Sequence, residues 1–243
     1  MKVLAFNSSP NMEKGATASI LNPFLEGMKE AGAEVELVYV SKLNIKPCSA
    51  CYACWLKTPG KCVHKDDMET IISKLEGVDV LVLATPVYVD GMTGTMKVMI
   101  DRFIPVGEPF IEIRDDHCRH PGRNDGGTGK LVLVSVCGFH EIDNFDALLA
   151  HVKAMCKNMG AEFAGALLRP HGAAIQAGKQ MGLPVDEVFE AAREAGRQLV
   201  RNGKISNDVL AAVSRELVPR DAYVQAANTF IKQTLDALEK KGD

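Results

Sequence analysis

The chain has 243 residues, 47% apolar and 24% charged, which is enough to bury a core and excludes the disordered and collagen-like classes. Its 28 basic and 31 acidic residues leave a formal net charge of −3 with no long run of either sign, which points away from nucleic acid and membrane surfaces and toward a small-molecule or protein partner. The amino-terminal apolar run is too short for a secretory signal and no segment is long enough to span a bilayer, so a cytoplasmic protein is expected; in that reducing compartment seven cysteines, an odd number, read as metal-binding or redox groups rather than disulfides.

Residues 2–6 are a short apolar run leading into a polar loop, and 17–31 carry helical spacing through Ile20, Leu21, Phe24, Leu25 and Met28. Gly32 stops that helix, and a second strand follows over 35–40. Asp66 with Glu69 three residues later has the form of a capping box before a short helix through Ile71, Ile72 and Leu75. Residues 78–84 are almost continuously apolar and β-branched, as a strand covered on both faces requires. A helix is predicted over 93–103, a polar surface excursion over 105–129, a fourth buried strand over 130–137, a helix over 144–159 and a fifth strand over 162–168. Three further helical stretches, near 185–201, 206–216 and 221–240, close the chain; in the last, Val224, Ala227, Phe230, Ile231, Leu235 and Leu238 form a stripe that would bury against the sheet or a second subunit.

Strands alternating with helices predict an α/β fold, a flavodoxin-like three-layer sandwich with a five-stranded parallel sheet in the order 2-1-3-4-5, as a single domain over 1–243 with extra C-terminal helices over 185–240. Three strand exits would then converge at one edge. The first, Ser8, Ser9, Pro10 and Asn11 running on to Gly15, Ala16 and Thr17, supplies hydroxyls, backbone N–H groups and a helix N-terminus, which together suit a phosphate; there is no G-x-G-x-x-G and no Walker lysine, so FMN is favoured over a dinucleotide, with plain helix capping as the other reading. The second, Pro86, Val87, Tyr88, Val89, Asp90, Gly91 and Met92, offers an aromatic ring and backbone groups to a flavin, or is merely a strand exit. The third is Cys137 and Gly138, followed by Phe139 and His140, the histidine read as a surface residue.

Between the second strand and the helix near 68 lies a cysteine loop, 47–63, in which Cys48, Cys51, Cys54 and Cys62 are spaced C-x2-C-x2-C-x7-C. Three thiolates at three-residue steps can point at one centre, as in ferredoxin-type runs, so a [4Fe-4S] cluster is the first expectation. A structural zinc and a metal-free dithiol pair are the alternatives. Cys118 reads as a surface residue and Cys156 as a small core residue.

The phosphate-type loop, the C-x2-C-x2-C-x7-C run with Val63 to Met68 after it, and TPVYVDGMTGTMKVMIDRF resemble the flavodoxin-like NAD(P)H-dependent FMN reductase superfamily and, within it, the iron-sulfur flavoproteins, over residues 1–170. The resemblance implies FMN, a homodimer or dimer of dimers, and electron transfer between cluster and flavin across a subunit interface. It implies Ser9, Asn11 and Thr17 at the phosphate, Pro86, Val87, Tyr88 and Gly91 around the isoalloxazine, and the four cysteines on the cluster. Family loops often carry Arg after Ser-Pro and a polar residue before Thr, where this chain has Asn11 and Ala16, leaving Lys14 to supply positive charge. The expected function is electron transfer from a low-potential redox protein or NAD(P)H; a cluster-free NAD(P)H-dependent FMN or quinone reductase and a flavin-binding carrier with structural zinc are the alternatives.

Overall fold

A computed structural model describes residues 1–123, 129–178 and 181–240. Its elements in chain order are β1 (Lys2–Asn7), α1 (Ala16–Glu30), β2 (Glu34–Tyr39), α2 (Ala53–Leu56), α3 (Met68–Leu75), β3 (Val80–Pro86), α4 (Gly94–Asp101), β4 (Glu112–Arg114), β5 (His117–Arg119), β6 (Lys130–Val136), α5 (Asp146–Met159), β7 (Glu162–Arg169), α6 (Gly172–Gly178), α7 (Val185–Asn202), α8 (Asn207–Ser214) and α9 (Arg220–Glu239). The five long strands form one parallel sheet in the order β2-β1-β3-β6-β7, the flavodoxin order with β4 and β5 set aside as a separate antiparallel hairpin. Strand order reverses between β1 and β3, which opens a crevice at their carboxyl ends.

The period-two alternation of the central strands sorts their side chains into two cores. Val3 and Ala5, Val80, Val82 and Ala84, and Val132, Val134 and Val136 face α1 and α7; Leu4 and Phe6, Leu81 and Leu83, and Leu131 and Leu133 face α3, α4 and α5. Small and β-branched residues line the first face because its helices pack closely. A methyl group on Gly27 would stand 1.9 Å from the Arg193 carbonyl oxygen, and one on Gly196 would stand 2.1 Å from that of Phe24, so α1 and α7 meet backbone to backbone.

Two expectations change in detail and a third is filled in. Asp66 and Glu69 do not form a capping box: Asp67 occupies the N-cap position of α3, Glu69 is exposed, and the Asp66 carboxylate, while still accepting from the Met68 N–H (3.2 Å), also takes the two-pronged donation of Arg102. The stripe on α9 does not pack on the sheet, whose faces are already covered, and no residue of α9 is buried within the chain. The surface excursion is a hairpin whose strands register Glu112 with Arg119; residues 124–128 of it lie outside the described residues. No described helix is long and apolar enough to cross a membrane.

Candidate functional site: a crevice and a cysteine loop

The loop after β1 is held by a chain of satisfied hydrogen bonds. The Ser8 N–H donates to the Ala84 carbonyl oxygen (2.9 Å), the Thr93 hydroxyl donates to Ser8 Oγ (2.8 Å), and the Thr93 N–H donates to Thr85 Oγ1 (3.0 Å). Thr93 Oγ1 also accepts from the Met96 N–H and so caps α4. Ser8 is therefore spent on tying the first strand exit to the second. Ser9 and Thr17 are buried, Pro10 and Asn11 exposed, and Ala16 half-buried. Gly15 is the N-cap of α1 and gives it no side-chain cap, so the first amides of a fifteen-residue helix face the loop unpaired by any side chain, an arrangement that favours an anion. A Cβ at Gly15 would stand 2.6 Å from Ser9 Oγ, so the loop closes this tightly only around glycine. Beneath it, Asn7 Oδ1 accepts from the Ser9 N–H (2.9 Å) while Asn7 Nδ2 is buried without a partner.

The second exit is a tight hairpin. Tyr88 and Gly91 exchange both backbone hydrogen bonds, and the two residues between them, Val89 (φ 48°) and Asp90 (φ 60°), are left-handed. That pair of angles is the type I′ pattern, which Asn and Gly adopt readily and valine does not. Val89 is 99% exposed, so no packing offsets the strain. Tyr88 is half exposed beside it, Pro86 and Val87 are half-buried, and Met92 is buried.

At the third exit Cys137 is buried, its thiol donating to the Phe139 carbonyl oxygen (3.3 Å) and pushed above the usual range by burial, so it packs and does not titrate near neutrality. Gly138 is exposed, and its carbonyl oxygen accepts from the Tyr223 hydroxyl on α9 (2.6 Å). Behind this loop lies a polar cluster that no local pattern announced. Arg169 is fully buried and donates to the carbonyl oxygens of Pro170 and Val213 and to the His171 ring (Nη2 to Nε2, 2.6 Å). Burial lowers the Arg169 pKa to about 10. Burial, then the Arg169 charge, holds His171 down at about 4, so its ring is neutral and accepts at Nε2, also from the Leu217 N–H (3.3 Å). His140 is stacked on it at 4.7 Å, its side chain 13% exposed, and is not the surface residue expected.

The four clustered cysteines are free thiols: Cys48 and Cys51 exposed, Cys62 partly so, and Cys54 buried. Together with His64 they line one small cavity. Ala50 (φ 52°) and Tyr52 (φ 53°) are left-handed, which bends the C-x2-C-x2-C run around that cavity. Burial, followed by the charges of Cys62, Cys51 and Cys48, pushes the Cys54 thiol up, whereas the Ala53 N–H and the Ser49 side chain lower that of Cys51. Mutual repulsion among converging thiolates is the condition that a bound cation or cluster relieves, and in this respect the donor set fits such a group. Among the described residues no group of three or more His, Cys, Asp or Glu side chains is placed so that it could hold a single metal ion. The loop is held from outside: the Trp55 indole N–H donates to the carbonyl oxygens of Ile104 and Gly107 (both 3.0 Å), and Arg102 bonds Asp66 and the Lys46 carbonyl oxygen. Cys118 is exposed on the hairpin and Cys156 is in the core.

Helix α4 joins the two places. It is capped by Thr93 at the crevice and followed by Arg102 at the cysteine loop, and its eight residues span about 12 Å at 1.5 Å per residue. A cavity of about 1540 Å³ lies elsewhere, beneath the β4–β5 hairpin and against the amino ends of the strands at Met1, Val78 and Lys130. The uncapped first amides of α1 and the strained turn are at the carboxyl ends instead.

Residues 1–117 match the NADPH-dependent FMN reductase family, a stretch that takes in β1 to β3, the cysteine loop and α4. Over these residues the chain is similar to that family. Among curated relatives, an iron-sulfur flavoprotein of Archaeoglobus fulgidus is 40% identical over 102 residues, covering 42% of this chain and 48% of the relative. One of Methanocaldococcus jannaschii is 39% identical over 102 residues (42% and 50%), and one of Methanosarcina thermophila 34% identical over 105 (43% and 53%). The chain thus spans about half the length of the curated relatives it matches. Among solved structures, an FMN-dependent NADH-azoreductase of Bacillus anthracis in complex with FMN superposes with a TM-score of 0.62 at 15% identity, covering 83% of this chain and 100% of the other. A Methanothermobacter marburgensis NAD(P)H:quinone oxidoreductase superposes at 0.56 and 16% identity, covering 82% and 96%. These likenesses establish the flavodoxin-like fold.

Proposed function

We propose that the chain is an FMN-binding iron-sulfur flavoprotein, an oxidoreductase that passes electrons between a low-potential donor and an acceptor. The observation that carries this reading is that four thiols converge on one cavity in a loop joined through α4 to a crevice suited to a phosphate and a flat ring. The matched relatives bearing the name iron-sulfur flavoprotein support it. When bound, FMN exchanges electrons in pairs and a [4Fe-4S] cluster one at a time, and together they convert between the two modes. In this reading Ser9, Asn11, Thr17 and the amides near Gly15 and Ala16 hold the phosphate, with Ser8 and Pro10 shaping the loop. Pro86, Val87 and Tyr88 flank the isoalloxazine, while backbone groups of Val89, Asp90, Gly91 and Met92 and the Cys137–Gly138 exit line its polar edge. Cys48, Cys51, Cys54 and Cys62 are the cluster ligands. No side chain acts as a general acid or base, because the cofactors carry the chemistry. The donor is NAD(P)H or a redox protein, and the working form is a cytoplasmic homodimer or dimer of dimers.

Anaerobic purification, absorption spectroscopy and metal analysis test the reading. The expected result is FMN together with about four iron atoms per chain and a broad band that dithionite bleaches. Flavin without iron would replace it with a cluster-free NAD(P)H-dependent FMN or quinone reductase, and stoichiometric zinc with a flavin-binding carrier. Absence of NADPH oxidation by flavin-loaded protein would remove NADPH as the donor.

A further inference from the structure

Only three buried side-chain nitrogens among the described residues lack a hydrogen-bond partner: Asn7 Nδ2 under the crevice loop, and His64 Nε2 and Arg102 Nε at the cysteine loop. Buried donors are rarely left unpaired, because each costs about 1–3 kcal/mol, so an orphan beside a binding cavity points to a missing acceptor. His64 lines the cavity of the four cysteines. Arg102, its side chain 1% exposed, uses Nη1 for the Lys46 carbonyl oxygen (2.5 Å) and for Asp66 Oδ2 (2.8 Å), and Nη2 for Asp66 Oδ1 (3.1 Å). The Cys62 sulfur is its remaining interaction partner. The guanidinium is thus anchored by Asp66 and lies near Cys62, with its Nε unpaired.

We propose that Arg102 and His64 are the outer donors that set the reduction potential of the four-thiolate centre: both give hydrogen bonds to its sulfurs, and Arg102 brings a fixed positive charge against Cys62. The inference rests on the cluster reading above. Each electron delivered to the centre by an external reductant adds one negative charge to the sulfur-rich site, with no proton taken up and no ligand bond broken. N–H donors and a nearby cation stabilise that added charge and so raise the potential. Asp66 holds Arg102 in place and keeps the cation buried; it does not face the thiolates as a ligand. Burial alone would push the Asp66 carboxyl up, but Arg102 and the Lys46 and Met68 amides hold it below the usual range, so the pair remains charged.

The test is an anaerobic potentiometric titration of the iron-loaded full chain, followed by electron paramagnetic resonance. The variants are His64→Leu and the double Asp66→Asn/Arg102→Gln, which removes both charges at nearly constant shape and leaves neither buried alone. The double variant is expected to keep wild-type iron and to lose at least tenfold in the reduced-to-oxidised ratio at a fixed potential, which is 59 mV for one electron. His64→Leu is expected to lose about threefold, the smaller effect of removing one N–H donor. Wild-type iron with midpoints within twofold of the parent overturns the inference and leaves the cluster reading standing. Iron lost from the variants but held by the parent also overturns it, assigning the residues to loop folding. A shift in one variant alone overturns the role of the other residue, and a parent that binds no iron overturns the cluster reading and the inference with it.

Discussion

The crevice and the cysteine loop are built on opposite principles although one helix joins them. At the crevice the framework is backbone and hydroxyls: strand ends in a complete parallel ladder, with Ser8, Thr85 and Thr93 bonded to one another. The cysteine loop contributes no strand and only a four-residue helix, and is fixed by side chains reaching in from elsewhere, Arg102 to Asp66 and Trp55 to Ile104 and Gly107. A site made of ladder ends is preorganised before anything binds, whereas one made of a few tethers depends on each tether and on its centre. The two should therefore fail independently and by different routes.

The largest expected effect is all or none. Cys51→Ser should abolish iron binding and leave FMN at wild-type stoichiometry, read by metal analysis and flavin absorbance of one preparation; joint loss of flavin and iron would show that the regions are not separable. Next, Arg102→Leu strands the Asp66 carboxylate, 0% exposed, without its cation, and should cost about 3–5 kcal/mol in urea unfolding. Proteolysis of the folded variant should begin within 47–63, and cleavage starting near the crevice instead would contradict the tether picture.

The third effect belongs to the cluster behind the crevice. His171 is held near pKa 4 in the folded chain against about 6.5 when unfolded, so the unfolded state binds the extra proton first. Its contribution is present in full above pH 6.5 and is lost as pH falls from 6.5 to 4, amounting to about 3 kcal/mol. His171→Gln, which keeps an acceptor for Arg169, should flatten that part of the stability profile; an unchanged slope would move the titration elsewhere. The smallest effect is a gain. Val89→Asn should stabilise the chain by about 1 kcal/mol, because asparagine tolerates a left-handed φ and exposed Val89 forfeits no packing. Weaker flavin binding in the same variant would show that the strain serves the crevice, and unchanged stability would show that there is little strain to relieve.

What could be read from residue order tracks what is local. The strands at 78–84 and 130–137 announce burial on both faces by composition alone, and the 2-1-3-4-5 sheet follows from their alternation with helices. The strand exits proposed for the crevice meet at one edge for the same reason. The pairs that fix the sites are distant in sequence and carry no period: Asp66 and Arg102 are 36 residues apart, and His171 takes the Leu217 N–H 46 residues on. Asp66 was legible as a cap because a carboxylate before a helix normally is one, and the arginine that pairs with it lies beyond a strand and two helices. Arg169 ends β7 and His171 follows it in the run Arg-Pro-His-Gly, an order with no period or motif to announce a buried cation.

Helix α4 makes the spacing of the two regions a matter of counting residues. Each residue added to or removed from it would turn its far end by about 100° and move it by 1.5 Å relative to the Thr93 cap. One insertion would swing Arg102 off Cys62 and Asp66 while the strands and the crevice stayed intact. The segment from Thr93 to Arg102 should accordingly accept changes of residue type on its exposed face and refuse changes of length, behaving as a gauge block between the two assemblies.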